Sequence, residues 1–345
     1  MNLIESLIAK LQRHPKRFVF PDGNDARVLQ AARQIVSREM GVPMLIGDRT
    51  SIKDKARKLG LATQGMRIIE IERSDERERF AQELSSMPRY HELSPEEIEG
   101  MVLDPNVFAS LMLRFTQAEA LISGATGRAS NILRPLFKIV GTKEGVKTAS
   151  SLLILDLDEK QVGIDGALFM GDCGVIPNPT ADQLAEIAIS TASLAHHLTN
   201  SSPKVALLSY ATHGRRKRED LTKIREAKDI VLAKKADLDF KIEIEGEIQV
   251  DAALDPATAI TKGLANNPVA GKANVLIFPD LNSGNIASKL VQILTGANTY
   301  GQIIMGLDKP AAEISRGASA HDILGAAAIV GCQAIDRSLL FHPTT

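Results

Sequence analysis

The sequence predicts an α/β protein with a mostly parallel sheet, and two observations support that fold class. Short β-branched runs alternate with amphipathic helical segments, for example at residues 17–20, 25–38, 42–46 and 52–59. This alternation is typical of βαβ units. The chain also has 345 residues, of which 44% are hydrophobic, so it is long enough to form two domains with a core each.

The same alternation continues through the rest of the chain. Further strand-like runs are followed by helical segments; the pairs are 118–123 with 129–140, and 204–209 with 216–235. Residues 150–158 and 164–170 indicate two strands joined by a charged turn, which predicts a hairpin and therefore an antiparallel pair in the sheet.

Two hydroxyl residues mark helix starts. Ser94 stands three residues before Glu97, and Thr180 stands three residues before Gln183. This spacing lets the hydroxyl and the later side chain each bond the other residue's backbone amide, which is a capping box. We expect these polar residues to serve the backbone.

Composition excludes several classes of protein. Lys and Arg total 41 against 42 for Asp and Glu, and no charge excess attracts nucleic acid or an anionic membrane. No segment approaches the roughly 18 apolar residues of a membrane span, and the N-terminus lacks the apolar core of a signal peptide. The two cysteines, Cys173 and Cys332, form no CxxC pair, which argues against a disulfide framework or zinc site. We expect a cytoplasmic protein that partners neither nucleic acid nor membrane.

Standard fingerprints of nucleotide and metal enzymes are absent from the sequence. There is no GxGxxG, complete P-loop or HExxH motif, and the histidines show no spacing typical of metal ligands. We therefore expect no metal. Cys173 is best interpreted as a small buried hydrophobic residue.

A dense polar segment, residues 315–322, precedes an apolar helical segment. It combines the Ser315 hydroxyl, the Arg316 guanidinium and the Asp322 carboxylate. Such groups suit an anionic ligand. Ser319 and Asp322 also have the spacing of a capping box, and a purely structural role explains them equally well.

Two βα turns predict anion-binding cradles built from backbone N–H groups. The first follows the buried-strand pattern 274–280 and contains Asn282, Ser283 and Asn285. Lys289 lies in the helix predicted at residues 286–294. An ordinary βα loop would explain the same residues.

The second cradle is predicted at residues 123–128 and includes Thr126. Arg134 follows it within an apolar helical segment, where either phosphate recognition or a buried ion pair explains it. The basic stretch 214–218 predicts an attraction site for a phosphorylated ligand, or else a solvated helix face.

Several segments together carry a family resemblance. They are Phe20-Pro21-Asp22-Gly23-Asn24-Asp25-Ala26-Arg27-Val28-Leu29, Gly171-Asp172-Cys173 with Pro177-Asn178-Pro179-Thr180-Ala181, Leu207-Leu208-Ser209-Tyr210, Val269-Ala270-Gly271-Lys272-Ala273-Asn274, Phe278-Pro279-Asp280-Leu281-Asn282-Ser283-Gly284-Asn285-Ile286, and Ile314-Ser315-Arg316-Gly317. In this order, and over almost the whole chain, they resemble the phosphate acetyltransferases of the phosphate acetyl/butyryltransferase family.

The resemblance implies a reaction and an architecture. The reaction is reversible acetyl transfer between acetyl phosphate and coenzyme A in a ternary complex, without an acyl-enzyme. Coenzyme A is then a substrate, and no tightly bound cofactor is expected. The implied fold is similar to isocitrate and isopropylmalate dehydrogenases, with two three-layer α/β domains, an active site in the interdomain cleft and a homodimer. The domains would be residues 1–147 plus 307–345, and residues 148–306.

The resemblance also assigns roles to individual residues. Asp322 matches the base that accepts the thiol proton, Arg316 the group that binds phosphate, and Ser315 its hydroxyl partner. Arg134 matches a substrate-binding arginine, and Arg89 is a looser match to another. An ordinary thiol and an ordinary aspartic acid differ by about 4.6 pKa units, or roughly 6 kcal/mol. We therefore expect positioning and charge stabilisation by Arg316 to contribute more than proton abstraction.

The sequence departs from the family at one segment and leaves rival functions open. Where relatives carry hydroxyl residues, this chain has Ala211 and Arg215, which weakens any prediction of acyl preference. A phosphate butyryl- or propionyltransferase would share nearly every motif. A non-catalytic regulatory domain of the same family and a metal-dependent hydroxyacid dehydrogenase of the same fold are two further possible functions.

Overall fold

The computed structural model describes residues 3–214 and 218–336. The strands are β1 (Lys16–Phe20), β2 (Gly41–Ile46), β3 (Arg67–Ile69), β4 (Ala120–Ser123), β5 (Ser150–Asp156), β6 (Ala167–Gly171), β7 (Lys204–Leu208), β8 (Glu243–Ile248), β9 (Val275–Ile277), β10 (Asn298–Met305) and β11 (Ala311–Glu313). The helices are α1 (Leu3–Arg13), α2 (Ala26–Ser37), α3 (Arg49–Lys58), α4 (Glu76–Ser86), α5 (Pro95–Val102), α6 (Pro105–Arg114), α7 (Ala129–Pro135), α8 (Ala181–Thr199), α9 (Glu219–Lys234), α10 (Val250–Leu254), α11 (Pro256–Thr261), α12 (Leu281–Thr295) and α13 (Ala320–Ile335).

The chain divides into two compact units. The first runs as far as Glu144 and resumes at Leu307 until the end of the described residues, and the second is Gly145–Gly306. The family resemblance placed the first of these boundaries after residue 147 and the second after residue 306.

The first unit has an all-parallel arrangement of strands. Their spatial order is β3-β2-β1-β4-β11, and every pairing among them is parallel. All four residues of β4 are buried, since α6 and α13 both pack against this strand. Parallel strands covered by helices on both faces are buried throughout, which accounts for the continuous apolar runs in the sequence.

The second unit mixes parallel and antiparallel pairs. Strands β6, β9, β7 and β8 are adjacent in that order and parallel, whereas β5 is antiparallel to both β6 and β10. The hairpin predicted from residues 150–158 and 164–170 is therefore confirmed as β5 and β6. Helix α8 packs against β6, β7 and β9 and thereby covers the centre of the parallel part.

Several local predictions are confirmed and one is wrong. Capping boxes form at Ser94, Thr180 and Ser319. The helix predicted to begin at Ile286 instead begins at Leu281, because the Asp280 carboxylate caps it there. Among the helices of residues 3–214 and 218–336, none is both long enough and apolar enough to cross a membrane.

Candidate active site

The loops that follow β1, β4 and β11 meet at one edge of the first unit, because these strands are parallel neighbours. The Ile314 amide donates to the Ser123 carbonyl at 2.7 Å. Gly124 has a φ of +125°, and a Cβ atom there would overlap the Ile314 carbonyl oxygen. Only glycine permits this close approach. The carboxyl edge of parallel strands is where α/β proteins place their ligands.

Asp22, directly after β1, fills the anion cradle predicted at residues 123–128. Its Oδ2 atom accepts the amide protons of Gly124 at 2.9 Å and Ala125 at 3.1 Å, and its Oδ1 atom accepts the Thr126 hydroxyl proton. The cradle is thus real, but its anion is a carboxylate of the chain itself. Asp22 therefore engages the backbone donors of Gly124 and Ala125, and the substrate contact of Thr126 stays a prediction.

Arg27 connects the loops after β4 and β11. Its guanidinium forms a two-point ion pair with Asp25 and donates to the backbone carbonyls of Ala125 at 2.8 Å, Arg316 at 2.6 Å and Ala318 at 2.9 Å. Burial raises the pKa of Asp25, but the hydrogen bonds and charge of Arg27 outweigh it and hold that pKa below its usual value. Both residues are therefore charged, and the edge has a fixed shape.

Arg316 has a fixed backbone and an exposed side chain. Arg27 holds its carbonyl oxygen, while its guanidinium makes no hydrogen bond or ion pair with any described residue. The neighbouring Ser315 is also exposed, and its hydroxyl oxygen accepts the Gly317 amide proton at 3.2 Å. A guanidinium presented in this way has all its donors available to an anion.

Asp322 lies in the first turn of α13 and is 5% exposed. Its Oδ2 atom accepts protons from the Ser319 amide at 2.7 Å and the Ser319 hydroxyl at 2.8 Å, while the Asp322 amide donates back to that hydroxyl at 3.1 Å. The structural explanation of this pair is thus confirmed. The base role of Asp322 stays a prediction, with the carboxylate held in one orientation by Ser319.

Arg134 and Arg89 are both exposed. Arg134 projects from the solvent side of α7, where Ile132 takes the buried side, and it pairs with no carboxylate among residues 3–214 and 218–336. The interpretation of Arg134 as half of a buried ion pair is therefore wrong. Arg89 lies in the turn between α4 and α5, and within the described chain no hydrogen bond links that turn to the three loops.

The cradle predicted around Asn282 is occupied in the same way as the first. The Asp280 carboxylate accepts the Ser283 amide proton at 2.8 Å, and the Ser283 hydroxyl donates to the Asp280 carbonyl at 2.9 Å. Asn285 donates its side-chain amide to the Cys173 carbonyl at 3.1 Å. These contacts fix the start of α12, and the substrate contacts of Ser283 and Asn285 stay predictions.

Asn282 and Lys289 are the exposed members of that predicted set, and their substrate contacts stay predictions. The same helix exposes an apolar stripe at helical spacing. Its side chains are Ile286 (65% exposed), Leu290 (55%), Ile293 (80%) and Leu294 (74%).

Asp172 organises the loop after β6 in the second unit. This buried carboxylate accepts amide protons from Gly174 at 2.9 Å, Val175 at 3.1 Å and Ile176 at 2.7 Å, together with the Ser151 hydroxyl proton. A carboxylate that receives several backbone donors offsets the cost of burial through them. In the sequence, Asp172 stands out only as part of the family segment Gly171-Asp172-Cys173.

Two buried glutamates of β8 hold the loop after β7, where the sequence departs from the family. Glu247 accepts from the Gly214 amide at 2.6 Å and from Arg225 through two donors at 2.6 and 2.8 Å. Glu245 pairs with Lys228, and His213 lies 3.3 Å from it. Residues 215–217, which include Arg215 and most of the predicted basic stretch, lie outside the described residues.

Sequence reasoning missed Asp22, Arg27, Glu245 and Glu247 as organisers of loops. A signal was present for Asp22, Glu245 and Glu247, since a charged residue within or just after a buried strand has to find partners. Cys173 is buried as predicted, and burial raises the pKa of its thiol. Among the described residues, no group of three or more His, Cys, Asp or Glu side chains is suited to a metal ion.

Comparisons with known proteins agree with this architecture. Residues 2–331 match the family model described as Phosphate acetyl/butaryl transferase. The chain is 39% identical to a phosphate acetyltransferase of Clostridium acetobutylicum over 97% of its own length and 99% of the relative. It is similar to a phosphotransacetylase structure from Streptococcus pyogenes, with a TM-score of 0.84, 33% identity and coverage of 97% and 100%.

A more distant likeness concerns the fold alone. A Salmonella typhimurium structure described as a candidate 4-hydroxythreonine-4-phosphate dehydrogenase superposes with a TM-score of 0.52 at 11% identity, covering 92% of this chain and 99% of that one. This likeness agrees with the predicted dehydrogenase-like fold.

Proposed function

Because the chain belongs to the phosphate acetyl/butyryl transferase family, we propose that it transfers an acetyl group reversibly between acetyl phosphate and coenzyme A. Relatives matched over nearly their whole length carry the name phosphate acetyltransferase, which favours acetyl over longer acyl groups. The observation that supports this most directly is the Arg316 guanidinium, which is free of protein partners in the described chain while its backbone is fixed by Arg27.

The reaction is a direct displacement. The sulfur of coenzyme A forms a bond to the acetyl carbon, the bond between that carbon and the phosphate oxygen breaks, and phosphate leaves with the bonding electrons. The thiol proton passes to a base. Arg316 stabilises the negative charge that develops on the leaving phosphate, since a guanidinium offers two parallel donors to phosphate oxygens.

Buried cysteines support direct transfer without an acyl-enzyme. Cys173 and Cys332 are both fully buried, and burial raises the pKa of each thiol, to about 11 for Cys332. A buried, protonated thiol is a poor nucleophile. Coenzyme A therefore supplies the only attacking sulfur in this proposal, as a substrate, and no tightly bound cofactor takes part.

Asp322 is the proposed base for the thiol proton. Ser319 fixes the orientation of its carboxylate through two hydrogen bonds. Ser315 is proposed as the hydroxyl partner of Arg316, and Arg134 as a further contact to a substrate phosphate. The two cysteines, which are free thiols, also suit the proposed cytoplasmic location.

The test is thioester formation from purified protein, coenzyme A and acetyl, propionyl or butyryl phosphate without added metal. We expect acetyl-CoA with release of phosphate, and the highest kcat/KM with acetyl phosphate. If no donor gives a thioester, the proposed enzymatic activity is refuted. A higher kcat/KM with butyryl phosphate would refute the acetyl preference.

We also propose a homodimer that covers the apolar stripe of α12. A two-fold axis brings the same patch of both chains together, so like charges on that patch would face one another. A patch with few charges therefore suits such an interface. Lys289 is the only charged residue of α12, and Ile293 and Leu294 are largely exposed. No acidic or basic cluster on this helix indicates a partner of different chemistry.

Light scattering on the full chain and on the Ile293→Asp variant tests the dimer. We expect two chains per particle for the natural sequence and one for the variant, because a buried unpaired carboxylate opposes association. Leu232→Asp is the matched control, since Leu232 is an exposed leucine on α9, and it should leave the mass unchanged. A monomeric natural chain would contradict the proposal.

A further inference from the structure

The arginines of the first unit fall into two groups. Most of those described bond a carboxylate or a backbone carbonyl, as in the pairs Arg17–Glu119, Arg38–Glu5, Arg49–Glu70 and Arg57–Asp54. In a smaller group the side chain makes no hydrogen bond or ion pair within residues 3–214 and 218–336. This group consists of Arg67, Arg89, Arg128, Arg134 and Arg316.

Arg128 ends the cradle predicted at residues 123–128 and has no role in the proposed mechanism. It is exposed and stands directly before α7, at the end of the loop that Asp22 holds through the Gly124 and Ala125 amides. Its carbonyl oxygen accepts the Asn131 amide proton at 2.9 Å, which fixes its backbone. Its side chain makes no capping hydrogen bond.

The hydrogen bonds of Arg27 join the loop that leads to Arg128 to the loop that contains Arg316. One Arg27 guanidinium contacts the carbonyl oxygens of both Ala125 and Arg316, at 2.8 and 2.6 Å. Arg128 follows Ala125 by three residues, a separation of at most about 11 Å even for a fully extended chain. The long side chains of Arg128 and Arg316 therefore start from the same edge.

Two carboxylates at this edge, Asp22 and Asp25, already have other partners. Asp25 is engaged by Arg27, and Asp22 by the donors of residues 124–126. A guanidinium that no protein carboxylate engages keeps its positive charge available to an anionic ligand. Phosphate is the dianion whose geometry a guanidinium matches with two donors.

We propose that Arg128 binds a phosphate group of a substrate beside Arg316, on the basis of its free guanidinium and of the Arg27 contacts that join their two loops. The inference rests on the proposed function. Both substrates carry phosphate, since acetyl phosphate has one such group and coenzyme A has several. The shared ligand is therefore a phosphate ester or anhydride, and kinetics distinguish its source.

Arg128→Gln tests the assignment by steady-state kinetics with coenzyme A and with pantetheine, a thiol acceptor without phosphate. We expect a rise of about 10- to 100-fold in KM for the phosphate-bearing ligand, as for one charged hydrogen bond, and a kcat within about twofold of the natural enzyme. If a coenzyme A phosphate is the ligand, the effect disappears with pantetheine. If acetyl phosphate is the ligand, its KM rises with either acceptor. Arg128→Lys should recover part of the loss.

Arg67→Gln is the matched control. Arg67 is exposed and equally without partners in the described chain, but it opens β3 at the amino end and so lies on the opposite edge. KM values for Arg128→Gln equal to those of Arg67→Gln would overturn the inference, provided that thermal unfolding shows both variants folded. An inactive natural enzyme would refute the proposed function instead, so the two failures are distinguishable.

Discussion

The Nη1 atom of Arg27 donates a 2.6 Å hydrogen bond to the backbone carbonyl oxygen of Arg316, which lies 289 positions later in the chain. The same guanidinium holds Ala125 and Ala318. One side chain at the start of α2 thereby fixes the backbone from which the Arg316 side chain extends. Arg27 is thus a positioning residue in the proposed reaction.

Arg27→Gln should lower kcat by about 10- to 100-fold, because a displacement of about 1 Å in a charge-stabilising group has effects of that size. Arg27→Lys should restore little of the lost kcat, since one ammonium group cannot replace a guanidinium that donates to three carbonyl oxygens. Steady-state kinetics on folded variants gives the measurement. Arg17→Gln is the control, because Arg17 also bonds a carboxylate and a carbonyl, but at the other end of β1. Equal kcat values for the Arg27→Gln and Arg17→Gln variants would contradict the positioning role.

Glu247 should contribute strongly to stability. It is 1% exposed and accepts two donors from Arg225 as well as the Gly214 amide. Glu247→Gln removes the buried charge of a pair whose Arg225 partner is 35% exposed, and we expect a loss of about 1 to 2 kcal/mol in the free energy of unfolding. Glu243→Gln removes an exposed pair with Lys235 from the same strand and should change it by less than about 1 kcal/mol. Urea denaturation measures the free energy of unfolding of both variants. Equal losses would contradict the larger contribution expected from the buried Glu247.

The buried Glu245 carboxylate should make the free energy of unfolding depend on pH in the acidic range. Burial raises its pKa, but Lys228, the Gly246 amide and Asn267 outweigh it and bring that pKa below its ordinary value. A lowered folded pKa means that the stabilisation is complete above the unfolded value and disappears as the pH falls through the folded one. We therefore expect the free energy of unfolding to decrease below about pH 4.5. Urea titrations at several pH values should show a shallower decrease for Glu245→Gln, and an unchanged slope would contradict this origin.

Local features of the fold were predictable from the sequence. The capping boxes at Ser94 and Ser319 and the hairpin of β5 and β6 depend on residues a few positions apart, so their spacing identifies them. The start of α12 was misplaced because the Asp280 cap was not given enough weight against the glycine and amide residues that follow it.

The long-range contacts of the candidate site could not be predicted in the same way. A run of backbone donors after a strand indicates that an anion is bound, but not which anion. In one cradle it is Asp22, which precedes Gly124 by 102 positions, and only the parallel pairing of β1 with β4 brings them together. The resemblance identified Arg316 and Asp322, whereas the network that orients Arg316 required the structure.

The most direct test compares kcat for Arg316→Ala and Asp322→Ala at saturating acetyl phosphate and coenzyme A, with and without added guanidinium ion. Charge stabilisation by a fixed, otherwise unpartnered guanidinium predicts a loss of at least about 100-fold for Arg316→Ala, with partial recovery in guanidinium, and a smaller loss for Asp322→Ala. A larger loss for Asp322→Ala, or an Arg316→Ala enzyme within about tenfold of the natural one, would contradict the account.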